Sequence, residues 1–128
     1  RVLVPLGRGG MGTVVYLARD RRLSEELGDT VLVALKILPD RRAADDPKVL
    51  ERFRREMELG RRADHPNVVR TREAGEIDGV HFLALEFVPG KTLRQVVKEG
   101  GPLPAGEAAR LFADVAAGLA HLHGRGLV

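Results

Sequence analysis

The stretch Gly7-Arg8-Gly9-Gly10-Met11-Gly12-Thr13-Val14-Val15-Tyr16-Leu17 decides how the rest of the chain is read. Residues 7–12 satisfy G-x-G-x-x-G, a spacing shared by two unrelated phosphate-binding devices. In a dinucleotide-binding fold the glycines open a helix, and an acidic residue follows about 20 residues later at the end of a second parallel strand. Here Gly12 runs into T-V-V-Y-L, whose β-branched and aromatic residues disfavour helix initiation and suit a strand. The place for the acid falls at residues 28–31, ahead of any such strand. The glycines therefore read as the tip of a hairpin joining strands at residues 2–6 and 13–18.

Beyond the hairpin, a polar stretch at residues 20–30 reads as a loop. Val31-Leu32-Val33-Ala34-Leu35-Lys36-Ile37-Leu38 follows, a nearly unbroken apolar run closed by Pro39. Such a run suits a central strand covered on both faces. Asp46-Pro47 is a helix start, with Leu50, Phe53 and Met57 on one face of the helix that follows, and His65-Pro66-Asn67 ends that region. Two more strands flank Asp78-Gly79, a tight-turn dipeptide, the second at residues 80–88. Thr92 with Gln95 forms a capping box, and Pro104 opens a longer helix carrying Leu111, Phe112, Val115, Leu119 and Leu122 up to Gly124. The order is three strands, a helix, two strands and two helices. The expected fold class is α+β, a five-stranded antiparallel sheet with one main helix, followed by two further helices.

Two charged residues stand out against this framework. Lys36 lies inside an apolar strand, where an ammonium group is costly unless paired or in contact with an anion. Strand alternation puts it on one face with Leu32, Ala34 and Leu38, and the small Ala34 leaves room for a flat ligand. Taken alone, Lys36 also fits a snorkelling side chain near a strand end. Glu56 borders the buried stripe of the first long helix and is placed to pair with Lys36; equally, a helix acid beside Arg54, Arg55, Arg61 and Arg62 fits a solvated face.

Composition narrows the classes. The chain has 128 residues, 44% hydrophobic and 30% charged, which suits one globular domain rather than disorder. A net charge of +3 is too weak to indicate a nucleic-acid partner. Without cysteine there are no disulfides, thiol nucleophiles or Cys-based zinc sites. No two histidines share an i,i+4 helix face with an acid, so no metal site is expected. No apolar run approaches the roughly 18 residues of a membrane span, and the opening residues show no charged-then-apolar signal-peptide pattern, so a cytoplasmic segment without membrane contact is expected. The apolar starts and stops at Val2-Leu3-Val4 and Gly126-Leu127-Val128 read as the edges of a piece of a larger domain.

In order along the chain, these features resemble the start of a protein kinase domain, most similar to bacterial serine/threonine kinases of the eukaryotic-like type. Leu6 to Val14 matches the glycine-rich loop with its trailing valine, and Val33-Ala34-Leu35-Lys36 matches V-A-I-K. Phe53-Arg54-Arg55-Glu56 resembles the family's αC segment, and His65-Pro66-Asn67-Val68-Val69 the turn after it. Leu85-Glu86-Phe87-Val88 resembles the gatekeeper and hinge. Leu119-Ala120-His121-Leu122-His123 through Val128 resembles the stretch before the catalytic loop.

The resemblance implies a kinase N-terminal lobe at residues 1–88, ending at the hinge, and the start of a C-terminal lobe at 89–128. It implies ATP as cofactor. Gly7, Gly9 and Gly12 would approach its phosphates through backbone N–H groups, and Lys36, held by Glu56, would bind the α- and β-phosphates. Leu6, Val14 and Ala34 would sandwich the adenine, Leu85 would be the gatekeeper, and the Glu86 carbonyl and Val88 N–H would read the adenine edge. Mg2+ ligands and the catalytic base are expected downstream of Val128, so this segment holds ATP without transferring its phosphate. The parent is expected to phosphorylate protein Ser/Thr hydroxyls; the alternatives are a non-catalytic pseudokinase or nucleotide-binding scaffold, and a small-molecule phosphotransferase of related fold. His65 and His123 are implied to be structural, and self-association through the exposed C-terminal helices is expected. Two departures from the family pattern are the long stretch at residues 20–30 and Gly60, which stands where an apolar residue of the regulatory spine is usual.

Overall fold

A computed structural model describes residues 1–8, 13–38 and 46–126 of the chain. The elements are β1 (Val2–Arg8), β2 (Val14–Asp20), α1 (Arg21–Leu27), β3 (Val31–Leu38), α2 (Pro47–Arg62), β4 (Thr71–Ile77), β5 (Val80–Glu86), α3 (Leu93–Gly100) and α4 (Ala105–Gly124). They fall into two units, Arg1–Ala63 with Val69–Phe87, and Asp64–Val68 with Val88–Val128.

In the first unit all five strands form one antiparallel sheet in the order β1-β2-β3-β5-β4. The apolar run at residues 31–38 is the central strand, as its composition requires. β1 and β2 pair as a hairpin from Val2↔Ala18 to Arg8↔Val14; its tip, residues 9–12, and Pro39 lie outside the described residues. β4 and β5 turn at Asp78 and Gly79, both with positive φ (51° and 78°), as a two-residue turn of this kind demands.

α2 begins where its sequence signals place it. The Asp46 carboxylate accepts the Lys48 backbone N–H at 2.9 Å, and Pro47 occupies the first turn. The helix lays Phe53 against Leu38 of β3 and Leu83 of β5, all three fully buried, with Val49, Leu50, Met57, Ala74 and Leu85 around them. Burying a side chain of this size stabilises by roughly 1.5–3 kcal/mol. Leu38 and Lys36 are two residues apart on β3, so the core face of the sheet is also the face that bears Lys36.

One element differs from the expected order. Residues 20–30, read above as a loop, contain α1. The Asp20 carboxylate caps it by accepting the Leu23 N–H at 3.0 Å, and Gly28 ends it in the left-handed conformation at φ 68°. Ser24, the buried residue of this helix, accepts the Val31 N–H at 3.0 Å and ties the helix to the start of β3. With apolar residues only at Leu23 and Leu27, α1 is too short to show a helical period.

The second unit contains α3 and α4. Thr92 and Gln95 form the reciprocal capping box at the start of α3. In α4, Gly118 is buried, and a Cβ there would stand 3.0 Å from the Asn67 carbonyl oxygen. The Asn67 side-chain amide donates to the Asp114 carbonyl at 2.8 Å, and the His65 and His121 rings lie 5.1 Å apart. Leu111, Phe112, Val115 and Leu119 are 40–61% exposed, so this apolar stripe has no cover among the described residues. No described helix is long and apolar enough to cross a membrane.

Candidate active site

Lys36 sits mid-strand on β3, with Val15 of β2 and Leu83 of β5 beside it in register. Glu56 follows Phe53 by three residues on α2, so the turn that packs Phe53 into the core carries Glu56 to the same side. The two charged groups meet. Lys36 Nζ lies 2.7 Å from both Oε1 and Oε2 of Glu56. The lysine side chain is 13% exposed and the glutamate 40%, so a sheltered cation is held by a carboxylate that reaches the surface. An ammonium group has three donors. Two go to Glu56, and the third has no partner among the described residues, which leaves it available to an anion.

The surrounding rungs place the other candidate residues. Gly7 opposes Val15, which in turn opposes Lys36, so the end of β1 lies two strands from the ammonium-bearing residue. Ala34 lies between Leu17 and Leu85, a single methyl group between two longer side chains. Val14 opposes Ile37 rather than Ala34, and Leu6 falls in an irregularity of the β1–β2 ladder between Pro5 and Gly7, where it is 47% exposed. Leu6, Val14 and Ala34 thus do not share one rung. Glu86 ends β5, and its backbone N–H donates to the Arg70 carbonyl at 2.9 Å. Val88 belongs to the second unit and is exposed. Gly9 and Gly12 lie outside the described residues.

One participant went unnoticed in the sequence. Thr71, at the start of β4, opposes Leu85 and occupies the space that a side chain at Gly60 would fill. Nothing local to Thr71 signals this, because the contact joins a helix to a strand across an intervening turn.

The protein kinase domain model matches residues 1–128. The chain belongs to the protein kinase family. It is 37% identical over 123 residues to the serine/threonine-protein kinase PrkC of Bacillus subtilis, covering 96% of this chain and 18% of that protein. It is 40% identical over 128 residues to the kinase pkn2 of Myxococcus xanthus, covering all of this chain and 14% of that one. Among solved structures, the Mycobacterium tuberculosis PknI kinase domain matches at a TM-score of 0.77 and 33% identity, covering 98% of this chain and 47% of that one. The chain therefore spans less than a fifth of these curated relatives and about half of a kinase domain. Sheet, main helix and following helices agree with the architecture the resemblance implies. Among the described residues no group of three His, Asp or Glu side chains is placed to hold a metal ion.

Proposed function

We propose that this chain is the ATP-binding part of a serine/threonine protein kinase, with Lys36 as the ligand of the α- and β-phosphates and Glu56 as the residue that holds it. The observation that carries this reading is the sheltered ammonium group, fixed at 2.7 Å by both carboxylate oxygens and keeping one donor for an anion. The charge pair orients Lys36 before ligand arrives, so little reorganisation is left for the moment of binding. Ala34, flanked by Leu17 and Leu85, supports the adenine from the sheet side, with Leu6 and Val14 adding apolar cover from β1 and β2. The glycines at 7, 9 and 12 present backbone N–H groups to the phosphates. The Glu86 carbonyl and the Val88 N–H read the adenine edge, and Leu85 acts as gatekeeper.

In the complete kinase a substrate Ser or Thr hydroxyl oxygen bonds to the γ-phosphorus as the bond to the β,γ-bridging oxygen breaks. ADP leaves, and the hydroxyl proton passes to a base outside these residues. Mg2+, held by ligands downstream of Val128, neutralises phosphate charge when bound. ATP supply places the parent's kinase domain in the cytoplasm. The uncovered stripe on α4 makes the 128-residue chain self-associate.

Replacing Lys36 by Met in the full-length protein tests the assignment. Phosphotransfer to a protein substrate should fall by at least about 10²–10³-fold, the usual loss for one charge-stabilising donor, with the thermal melt retained. Undiminished phosphotransfer would refute the role given to Lys36.

A further inference from the structure

The long stretch between β2 and β3, which departs from the family pattern, folds as α1 and helps to enclose a cavity of about 490 Å³. Arg1, Leu3, Arg19, Arg21 and Glu25 line it, from the start of β1, the end of β2 and α1. Three guanidinium groups thus share one hollow with a single carboxylate. Arg21 and Glu25 stand at i,i+4, yet they form no ion pair with each other or with another described residue, and neither does the Arg1 guanidinium. Arg19 is steadied instead: its Nε donates to the hydroxyl of the buried Ser24 at 3.4 Å. That bond uses one of five donors and leaves both Nη groups for a ligand. Like charges gathered in this way repel one another, so the arrangement gains most from an anion seated among them. The hollow is separate from the ATP site. Arg19 lies four residues along β2 from Val15, the neighbour of Lys36, a span of about 13 Å.

Several arginines around one small hollow suit a phosphate monoester, whose oxygens match the guanidinium fork. A net charge of +3 is too weak for a nucleic acid to be the carrier of that phosphate. The strand beside the hollow selects a peptide. β1 is an edge strand of the sheet. Arg1 and Arg19 exchange both backbone bonds, at 2.7 and 2.8 Å, so the N–H and C=O of Val2 turn to the open edge. Val2, Leu3 and Val4 are 45–49% exposed there and offer apolar surface to flanking side chains. Pro5, which lacks an N–H, confines strand pairing to these first residues, next to the arginines. We propose that this hollow binds a phosphorylated Ser or Thr side chain on an extended segment of a partner protein, with the phosphate among Arg1, Arg19 and Arg21 and the backbone alongside Val2. A segment of this kind is the class of product that protein kinases make, so the site retains proteins already phosphorylated. It stands whether or not Lys36 grips ATP.

The test uses the full-length kinase, treated with phosphatase, and a fluorescein-labelled peptide pool with random residues on both sides of one fixed phosphothreonine, read by fluorescence polarisation. The pool should bind saturably. Arg19→Ala and Arg21→Ala should each weaken binding at least about 10-fold, the usual loss for a hydrogen bond to a charged group, and Glu25→Gln should tighten it. Both arginines are exposed, so the thermal melt should hold. Arg21→Lys keeps the charge without the fork and should recover part of the loss, which a folding defect would not. A pool with threonine in place of phosphothreonine should bind at least about 10-fold more weakly. Lys36→Met should bind the phosphothreonine pool as the unaltered kinase does; loss of binding there would put the peptide in the nucleotide site and overturn the proposal. Equal binding of the two pools, displacement by an equal concentration of inorganic phosphate, or arginine variants that bind unchanged would also overturn it. So would binding that disappears once the kinase autophosphorylates, since the occupant would then be its own chain and not a partner.

Discussion

Two phenylalanines show how differently the two units are built. Phe53 on α2 is fully buried against Leu38 and Leu83, whereas Phe112 on α4 is 61% exposed in a stripe with Leu111, Val115 and Leu119. The first unit closes a core of its own: a sheet, and a helix that covers the apolar residues on one of its faces. The second unit offers an apolar helix face and, among the described residues, no element to cover it. Lys36 and Glu56 are held by the unit that has a core, so the precision of their contact is inherited from the packing beneath it.

The sharpest way to break this contrast is to truncate both rings in the 128-residue chain. Phe53→Ala should cost about 3–5 kcal/mol in urea unfolding followed by circular dichroism, the usual penalty for emptying a buried aromatic site. Phe112→Ala should stay within about 0.5 kcal/mol, as exposed substitutions do. Comparable losses would mean that the two rings are equally buried in solution.

The same stripe sharpens the comparison through association. A contiguous exposed apolar patch favours self-contact. Static light scattering should show the apparent mass of the chain rising with concentration, and Phe112→Lys should suppress the rise. A monodisperse monomer at high concentration would show that α4 does not associate.

A smaller effect separates local from tertiary stability. Thr92→Ala removes the hydroxyl that accepts the Gln95 N–H and leaves α3 without its reciprocal cap. The expected loss is about 1 kcal/mol, confined to the second unit, read as faster amide hydrogen exchange in α3 with no change in β3 or β5. Exchange that accelerates in the sheet as well would show that the two units unfold together.

What could be read from the residues follows the same division between local and distant causes. β3 was legible because eight successive residues carry its apolar run, α2 because Asp46-Pro47 and the Leu50, Phe53 and Met57 period are local signals, and the β4–β5 turn because Asp78-Gly79 tolerates two positive φ values. α1 escaped because its evidence is a cap at Asp20 and a left-handed Gly28, with too few apolar residues between them for a period. The Lys36–Glu56 pair was suggested by one strand position and one helix position, and the resemblance to kinases gave it a chemical meaning. The fit of Gly60 to Thr71 was not legible. Gly60 stood out only as a departure from the family pattern and Thr71 not at all, and only the docking of α2 on the sheet puts the missing side chain of one against the hydroxyl of the other. The ladder positions of Leu6 and Val14 were likewise hidden, because β1 carries two register irregularities that the sequence does not announce.

The central claim is that one ammonium group, steadied by a helix carboxylate, grips the phosphates of ATP. An acyl-phosphate derivative of ATP, which transfers its acyl group to an amine lying beside the bound phosphates, reads this directly when the modified peptides are located by mass spectrometry. The chain has four lysines, at positions 36, 48, 91 and 98. The account predicts rapid acylation of Lys36, abolished by excess ATP, with only slow and ATP-insensitive labelling of Lys48, Lys91 and Lys98. Labelling spread evenly over the four, or unaffected by ATP, would contradict it.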